Sequence, residues 1–511
     1  MLAALAAMGC GSGPPIATET PEERPRALAP PLPWERDAVE PPTVSTPLVA
    51  IVGGTVMTAA GRVVEDGVVV MRDGRIRAVG AASEVEIPDG AERVDASGRF
   101  VTPGLIDTHS HMGVYAQPGV NATSDGNEST APVTAQVWAG DSFWPQDPAL
   151  PRAIAGGVTT IQVLPGSANL IGGRGAIVKL HLGRSIEEML FLGAPDTLKM
   201  ACGENPKRVY GTRTTAPSTR MGNVAGYRGA FQQAIEYGRS FRDWQENHRL
   251  WQLKRAKFRR YEERRTELPR VRRRARPGEA PDEPEEVDDP GPAPAPPARN
   301  FQLEPLLGAI EGRVLVQMHC YRADEMALMI DLGADMGFRI RSFHHAVEAY
   351  KIRELLAQHE VGVSTWTDWW GFKLEAFDAI PQNLALLTEA GVHAALHSDS
   401  AALVQRLNQE AGKARAAGQR ADIEVTEDQA LRWITADPAW VLGIEDHTGT
   451  LQVGKMADVV VWSAHPLSVY ARADLVYIDG HLAFDRTARV RAGTTDFELG
   501  HGVGEAEGVT R

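Results

Sequence analysis

The stretch Phe100-Val101-Thr102-Pro103-Gly104-Leu105-Ile106-Asp107-Thr108-His109-Ser110-His111 decides how this chain is read. Its apolar first half makes the approach to, and the start of, a β-strand. Side chains alternate across a strand, so His109 and His111 aim at one spot and Asp107 lies on the same face. Two histidines spaced this way can also sit in a polar loop, so the pair means little alone. It gains weight because further metal-ligand types close later apolar runs. His319 follows Val314–Met318, His345 follows Ile340–His344, and Asp399 follows Ala394–Ser398. In a (β/α)8 barrel the C-terminal strand ends converge on one mouth, and site residues come from several strands. Four imidazoles and a carboxylate delivered in that order suit Zn²⁺ or another divalent ion.

Around that stretch the texture changes twice. Strand-like segments crowd residues 48–100, with an Asp73-Gly74 hairpin signal, and return at 447–490, with Asp479-Gly480. They predict one small β-sandwich built from both chain ends. Between them, over 101–446, apolar strands alternate with helical stretches, which predicts a parallel sheet with crossover helices, a TIM barrel. The 511 residues are too many for one ordinary domain but fit a barrel with such an appendage. An insertion at about 239–300 stands outside the pattern. It is charged and helix-prone from Phe241 to about Ala275 and strongly basic at Arg270–Arg276. It then turns acidic over Glu279–Asp289 and proline-rich over Pro290–Pro297. One reading is an arm for RNA or an anionic surface. The other, a solvated helix with a disordered loop whose opposite charges partly cancel, is preferred, since no nucleic-acid module accompanies the arginines.

The net charge of −13 argues against nucleic acid as a partner, and no apolar run of eighteen residues is present to span a membrane. Three cysteines, Cys10, Cys202 and Cys320, give no disulfide framework, so the core alone is expected to hold the fold. Residues 1–47 read as a short apolar leader ending in Gly9-Cys10-Gly11-Ser12, similar to a bacterial lipoprotein signal, followed by a Pro- and Glu-rich disordered tether. An exported envelope or periplasmic protein is expected, its contact with membrane limited to a lipid anchor. The alternative is a cytoplasmic protein with an apolar N-terminus. Residues 491–511 read as a tail.

From about Val49 to Arg486 the chain resembles the amidohydrolase superfamily, in its imidazolonepropionase-like and Xaa-Pro dipeptidase-like branch. Thr102–His111, Gly157-Val158-Thr159-Thr160, His319–Asp324, Glu348–Lys351, His397–Ser400 and Gly449–Asp458 carry the resemblance. It implies a metal-dependent hydrolase that cleaves a C–N bond in an amide, cyclic amide or dipeptide. The implied ligands are His109, His111, His319, His345 and Asp399. A second ion would need a carbamylated lysine or a glutamate as bridge. Lys199 within its strand and Glu204 at the strand end both qualify, and Lys199, which matches the dipeptidase-like branch, is the choice. Glu204 then reads as a substrate contact or a loop acid.

Asp399 is expected to take a proton from water and pass it to the leaving nitrogen. His319, with Tyr321, would steady the developing oxyanion. Arg220 and Arg322 are candidates to clamp an anionic substrate group, with structural salt bridges as their plain alternative. His344 points to the other side of its strand and reads as support, as does His397. Cys320 faces away from the site. Pro165–Arg174 lacks the Gly-Lys-Ser/Thr of a phosphate loop and reads as a mobile loop lining the pocket. A small molecule or dipeptide is the expected substrate and a homo-oligomer the expected assembly. The competing class is a metal-binding surface protein without turnover.

Overall fold

Eight short runs form the central barrel of the computed structural model, which describes residues 30–34, 39–276, 278–279 and 281–488. They are β1 (Leu105–Ser110), β2 (Val158–Val163), β3 (Ile171–Lys179), β4 (Asp196–Ala201), β5 (Val314–Cys320), β6 (Ile340–His345), β7 (Gly362–Thr365) and β8 (Ala394–Leu396). Nearly every residue of these runs is buried, as expected of strands covered on both faces. Neighbours pair in sequence order from β1 to β8. The seam between β8 and β1 is drawn together where the Asp399 N–H donates to the His109 carbonyl at 3.0 Å. In register, Lys199 of β4 stands opposite Gln317 of β5, and His319 stands opposite His344 of β6.

One strand runs the other way. β3 is antiparallel to both β2 and β4, pairing Thr160 with Lys179 and Gly173 with Lys199. Part of the stretch expected to be a mobile loop is therefore barrel wall, and only about 164–170 turns over the mouth. The glycines of Ile171-Gly172-Gly173-Arg174-Gly175 hide the strand because glycine weakens β-propensity. They are there for close approach: a Cβ on Gly175 would lie 2.6 Å from the Thr197 hydroxyl, and Gly173 takes φ of 121°.

Strands from both chain ends join in one further eight-stranded sheet. Its order is His481–Asp485, Ala473–Ile478, Val459–Trp462, Phe100–Pro103, Val49–Met57, Val63–Arg72, Arg75–Ala81, with Glu92–Asp95 also paired to Val49–Met57. Hydrogen-bond pairing runs through all of its strands, and Ile51, Val69, Ile76, Val101, Val461 and Tyr477 from both chain ends share one buried core. Asp73-Gly74 and Asp479-Gly480 both take positive φ, as a tight hairpin turn demands. Residues before Ser45 are not all tether: a Cβ on Gly193 would lie 2.7 Å from the Val39 carbonyl.

The reversed direction of β3 carries Lys179 away from the mouth and into this sheet's loops. Lys179 Nζ is buried between Asp458, at 2.8 Å, and Asp479, while His181 Nε2 meets the other Asp479 oxygen at 2.8 Å. Thr448 donates to Asp458 at 2.7 Å, so the buried carboxylates are shared among several donors. Although burial pushes the Asp479 carboxyl up, the Lys179 charge and the His181 hydrogen bond hold it down at about 2.

A separate compact unit contains Gly238–Arg299 and the described residues 30–34. Its backbone is the distal part of a helix spanning Arg220–Arg274, which starts some twenty residues before the expected helix. The proline-rich return is not loose: Trp244 and Trp251 indole N–H groups donate to the carbonyls of Pro294 and Gly291 at 3.0 and 2.9 Å. Prolines supply acceptors without donors, which suits such a lining. Arg255 pairs with Asp289 at 3.0 Å and Arg272 with Glu283 at 3.5 Å, so the opposite charge blocks do meet. Trp34 packs edge-on against Phe241 at 4.7 Å.

Cys202 and Cys320 form a disulfide with Cα atoms 5.2 Å apart, against the expectation of none. They are 118 residues apart in sequence, but the β4–β5 ladder sets Ala201 beside His319, so the next residues are neighbours. Low cysteine count says nothing about such a single staple.

Two outcomes follow. Asp479→Asn should destabilise the chain by on the order of 2 kcal/mol at neutral pH in urea unfolding. Because the folded carboxyl titrates below its unfolded value, that contribution is complete above about pH 4 and fades as pH falls toward 2. A gap between variant and parent that stays constant with pH would contradict it. In denaturant without reductant, Cys202 and Cys320 should resist alkylation and both should label after reduction, as peptide mass mapping would read.

Candidate metal centre

The mouth of the barrel collects imidazoles at hydrogen-bond distances from one another. His109 Nε2 lies 3.3 Å from His111 Nε2 and 3.3 Å from Lys199 Nζ. Asp399 Oδ1 is 3.2 Å from His111 Nε2 and 3.8 Å from His109 Nε2, and Asp399 Oδ2 is 3.9 Å from His345 Nδ1. The His319 ring centre lies 4.5 Å from that of His345, and its Nε2 is 3.3 Å from the Asn205 amide nitrogen. The predicted residues of β1, β4, β5, β6 and the end of β8 thus come together.

Ring tautomers follow from the outer partners. Gln317 donates its amide to the Val441 carbonyl at 3.0 Å, which fixes its oxygen toward His344. His344 Nε2–H donates to that oxygen at 2.7 Å, so His344 Nδ1 is an acceptor. His109 Nδ1–H donates to it at 2.9 Å, and His109 Nε2 is left as a bare lone pair facing the cluster. On His111, Nδ1–H donates to the Leu164 carbonyl at 2.8 Å, with the same result for its Nε2. Imidazoles that ligate metals are oriented in this way. His319 Nδ1 and His345 Nδ1 are buried without a hydrogen-bond partner. His344, read from sequence as mere support, is the orienting group for His109. Gln317 was missed; its only signal is a polar residue inside an apolar strand.

Charge is excluded from this volume. Burial pulls His109, His319, His344 and His345 well below the ordinary imidazole range and His397 to about 3. Burial likewise brings the Lys199 amine down to about 7. Burial pushes Asp399 up as well, yet its carboxyl, with Oδ1 3.2 Å from His111 Nε2, stays below its ordinary value. Neutral imidazoles, a buried amine and one carboxylate make a donor set for a divalent cation. His109, His111 and Asp399 form one such group, and His109, His345 and His397 another. His397 Nε2 is engaged by the His345 backbone N–H at 3.3 Å.

The backbone is held hard here. His345, Ala346 and Asp399 adopt φ of 68°, 37° and 49°. Left-handed conformations cost non-glycine residues on the order of 1–3 kcal/mol and gather at functional sites. Asp107 helps to impose them. It accepts from the backbone N–H groups of His109 and Ser398 at 3.1 Å and from the Ser398 hydroxyl, so it braces the Asp399 turn.

The remaining predicted residues fall elsewhere. The Glu204 carboxylate begins a helix and meets Lys373 at 3.5 Å. Arg220 is held by Glu325 at 2.9 Å and by Glu375, and Arg322 is paired twice to Asp324 at 2.9 Å. The salt-bridge alternative describes both arginines, because buried or adjacent acids reach them first. Tyr321 lies against His319, ring centres 5.0 Å apart, and burial pushes its phenol up. A cavity of about 510 Å³ beside the 164–170 turn is lined by Val114, Asn127, Glu128, Trp138, Pro165 and Gly172.

Comparison with known proteins adds four findings. The description "Amidohydrolase family" matches residues 309–484. Amidohydrolase tasK of Hapsidospora irregularis is 33% identical over 414 residues, which is 78% of this chain but 38% of that protein. An imidazolonepropionase of Caulobacter sp. strain K31 is 34% identical over 128 residues, 21% of this chain and 31% of that enzyme. The chain therefore spans well under half the length of these curated relatives. Among solved structures, an amidohydrolase from Thermotoga maritima MSB8 is 33% identical, with a TM-score of 0.69 over 86% of this chain and all of that one.

The relay from Gln317 through His344 to His109 has a measurable consequence. His344→Phe keeps the ring's bulk and removes the acceptor, and should lower affinity for Zn²⁺ 10–100-fold in chelator competition with little change in the circular dichroism spectrum. Unchanged affinity would remove His344 from the orienting role.

Proposed function

We propose, for a chain that belongs to the amidohydrolase family in its imidazolonepropionase-like branch, that the buried cluster holds one or two divalent cations and hydrolyses a C–N bond. The observation that carries this is the convergence of the His109 and His111 Nε2 lone pairs on Asp399 and Lys199, in a volume where burial keeps the His109 ring from gaining a proton. Lys199 Nζ can donate to His109 Nε2 at 3.3 Å, and a cation would compensate that lone pair together with the others that converge there.

His109, His111, His319, His345 and Asp399 are the proposed ligands, with Zn²⁺ the proposed ion. Lys199 is favoured over Glu204 as the bridge because its amine touches His109, whereas Glu204 is engaged by Lys373. The buried amine would add to carbon dioxide, releasing a proton and gaining a carboxylate. When bound, the cation supplies Lewis acidity that brings water's pKa from about 15.7 toward ~7.

The chain's own groups do the rest. Asp399 takes the proton of the attacking water as the new C–O bond forms, then returns it to nitrogen as the C–N bond breaks. The Tyr321 hydroxyl, kept protonated by burial, donates a hydrogen bond to the carbonyl oxygen as it gains charge. The substrate is an amide, cyclic amide or dipeptide. The disulfide supports an exported protein, since such bonds persist in oxidising compartments. Cys10, the proposed lipid attachment point, lies outside the described residues.

Dialysis against a strong chelator should abolish turnover of an amide and dipeptide panel, and added Zn²⁺ should restore it. Asp399→Asn should retain at least one equivalent of metal while kcat falls by ~10²–10⁴. Metal content near two equivalents with bicarbonate, dropping in Lys199→Ala but not in Glu204→Ala, supports the carbamate. One equivalent insensitive to Lys199 excludes it. Full metal with no turnover on any panel member would favour a non-catalytic metal protein.

A further inference from the structure

The segment after β7 carries more exposed aromatic surface than a solvated loop has reason to keep. Trp369 is 37%, Phe372 56%, Trp370 63% and Phe377 67% exposed. Large apolar side chains grouped this way mark a binding surface rather than ordinary surface scatter.

Their geometry ties them to the candidate centre. The His345 ring stacks on Trp366 with centres 4.4 Å apart and planes 24° from parallel. Trp366 stacks in turn on Trp369, at 4.9 Å and 16°. Phe372 stands nearly perpendicular to both indoles, at 6.0 and 6.5 Å, and lies 6.3 Å from Tyr321. A ladder of rings therefore runs from a proposed metal ligand to solvent. Trp366 itself is buried, and its indole N–H donates to the Ser398 carbonyl at 3.2 Å, which fixes the inner rung.

Positive charge around the same segment is already spent. Arg220 is committed to Glu325 and Glu375, and Arg322 to Asp324. Lys373, between Phe372 and Leu374, lies over the Tyr321 ring at 3.8 Å and pairs with Glu375 and Glu204 at 3.3 and 3.5 Å. None of these three is presented singly to an incoming carboxylate.

We propose that the substrate carries an aromatic or bulky apolar group beside its scissile C–N bond, seated on Trp369 and Phe372. This rests on the hydrolytic reading of the centre and specifies its substrate class. A ring laid against the ladder exchanges water for stacked carbon surface at the exposed end, while the bond to be cut reaches the ligand end.

The test uses the full chain with its metal and five probes: Phe-Pro, Ala-Pro and Glu-Pro dipeptides, and the acetylated amides of phenylalanine and alanine. Binding is read by calorimetry and turnover by kcat/KM. The phenylalanyl probes should bind at least ~10-fold more tightly than their alanyl and glutamyl counterparts, a difference that one aromatic contact supplies. Trp369→Ala and Phe372→Ala, both at exposed positions, should each cut that selectivity ~10-fold through KM rather than kcat. Turnover without aromatic preference, or a preference for Glu-Pro, overturns the proposal and leaves the hydrolytic reading intact. Trp369-dependent binding of phenylalanyl probes without turnover supports the aromatic seat on Trp369 and Phe372 but overturns the hydrolytic reading, and with it the assignment of the bound group to a substrate. Loss of an oligomer in light scattering of the variants, with selectivity unchanged, makes the patch a subunit contact and overturns it.

Discussion

Six nitrogen-bearing side chains are buried together at the barrel mouth, and that constraint organises the molecule. His109, His319, His344, His345, His397 and Lys199 are all at most 2% exposed. Such groups neither hold charge nor leave lone pairs unmatched without cost. The fold answers in two ways. Outward-facing nitrogens are matched to Gln317, the Leu164 carbonyl and one another, and inward-facing ones are left to converge. Left-handed turns at His345 and Asp399 are tolerated because they complete that convergence. Around it, the strand register is a means of bringing the right atoms to one level.

Much of this was legible in the sequence because it obeys periodicity. The strands bearing His109, His319 and His345 are short apolar runs ending in a polar residue, and a barrel sends such ends to one place. The two Asp-Gly turns were equally plain, since left-handed conformations demand those residues. What escaped lacks a local signature. Ile171–Lys179 is masked by glycines that serve its neighbours' side chains rather than its own propensity. The Cys202–Cys320 bond depends on a ladder between segments 118 residues apart. The partners of Arg220 and Arg322 could not be read because acids near in space decide them. The role of His344 was hidden because strict alternation sets it on the face opposite His345. The register instead places it level with His319 and in reach of His109 across the barrel, and His345 leaves the strand through a left-handed φ.

Away from the mouth, a second buried polar cluster does a different kind of work. Lys179, Asp458, Asp479 and His181 neutralise one another, and little is left over for chemistry. Their partners come from β3 on one side and from loops of the end-built sheet on the other. A buried ion pair of this sort specifies alignment more than it adds net stability, since desolvation offsets much of the attraction. The two clusters illustrate opposite uses of burial: one is balanced and closed, the other is left short of positive charge.

The reversal of β3 also bears on how this scaffold could be diversified. Because β2 and β3 form a hairpin, the chain over 164–170 returns directly into the wall, with no crossover helix to re-dock after each change. Asn169 must stay, since its amide donates to the Glu128 and Ala131 carbonyls. Ser167 is also tied in, since its hydroxyl accepts from the Asn205 amide at 2.8 Å and Asn205 in turn meets His319. Ala168, between β2 and β3, has no polar side chain to commit, and a saturation library at that one codon would sample the rim while leaving every ligand-bearing strand and its pairing untouched.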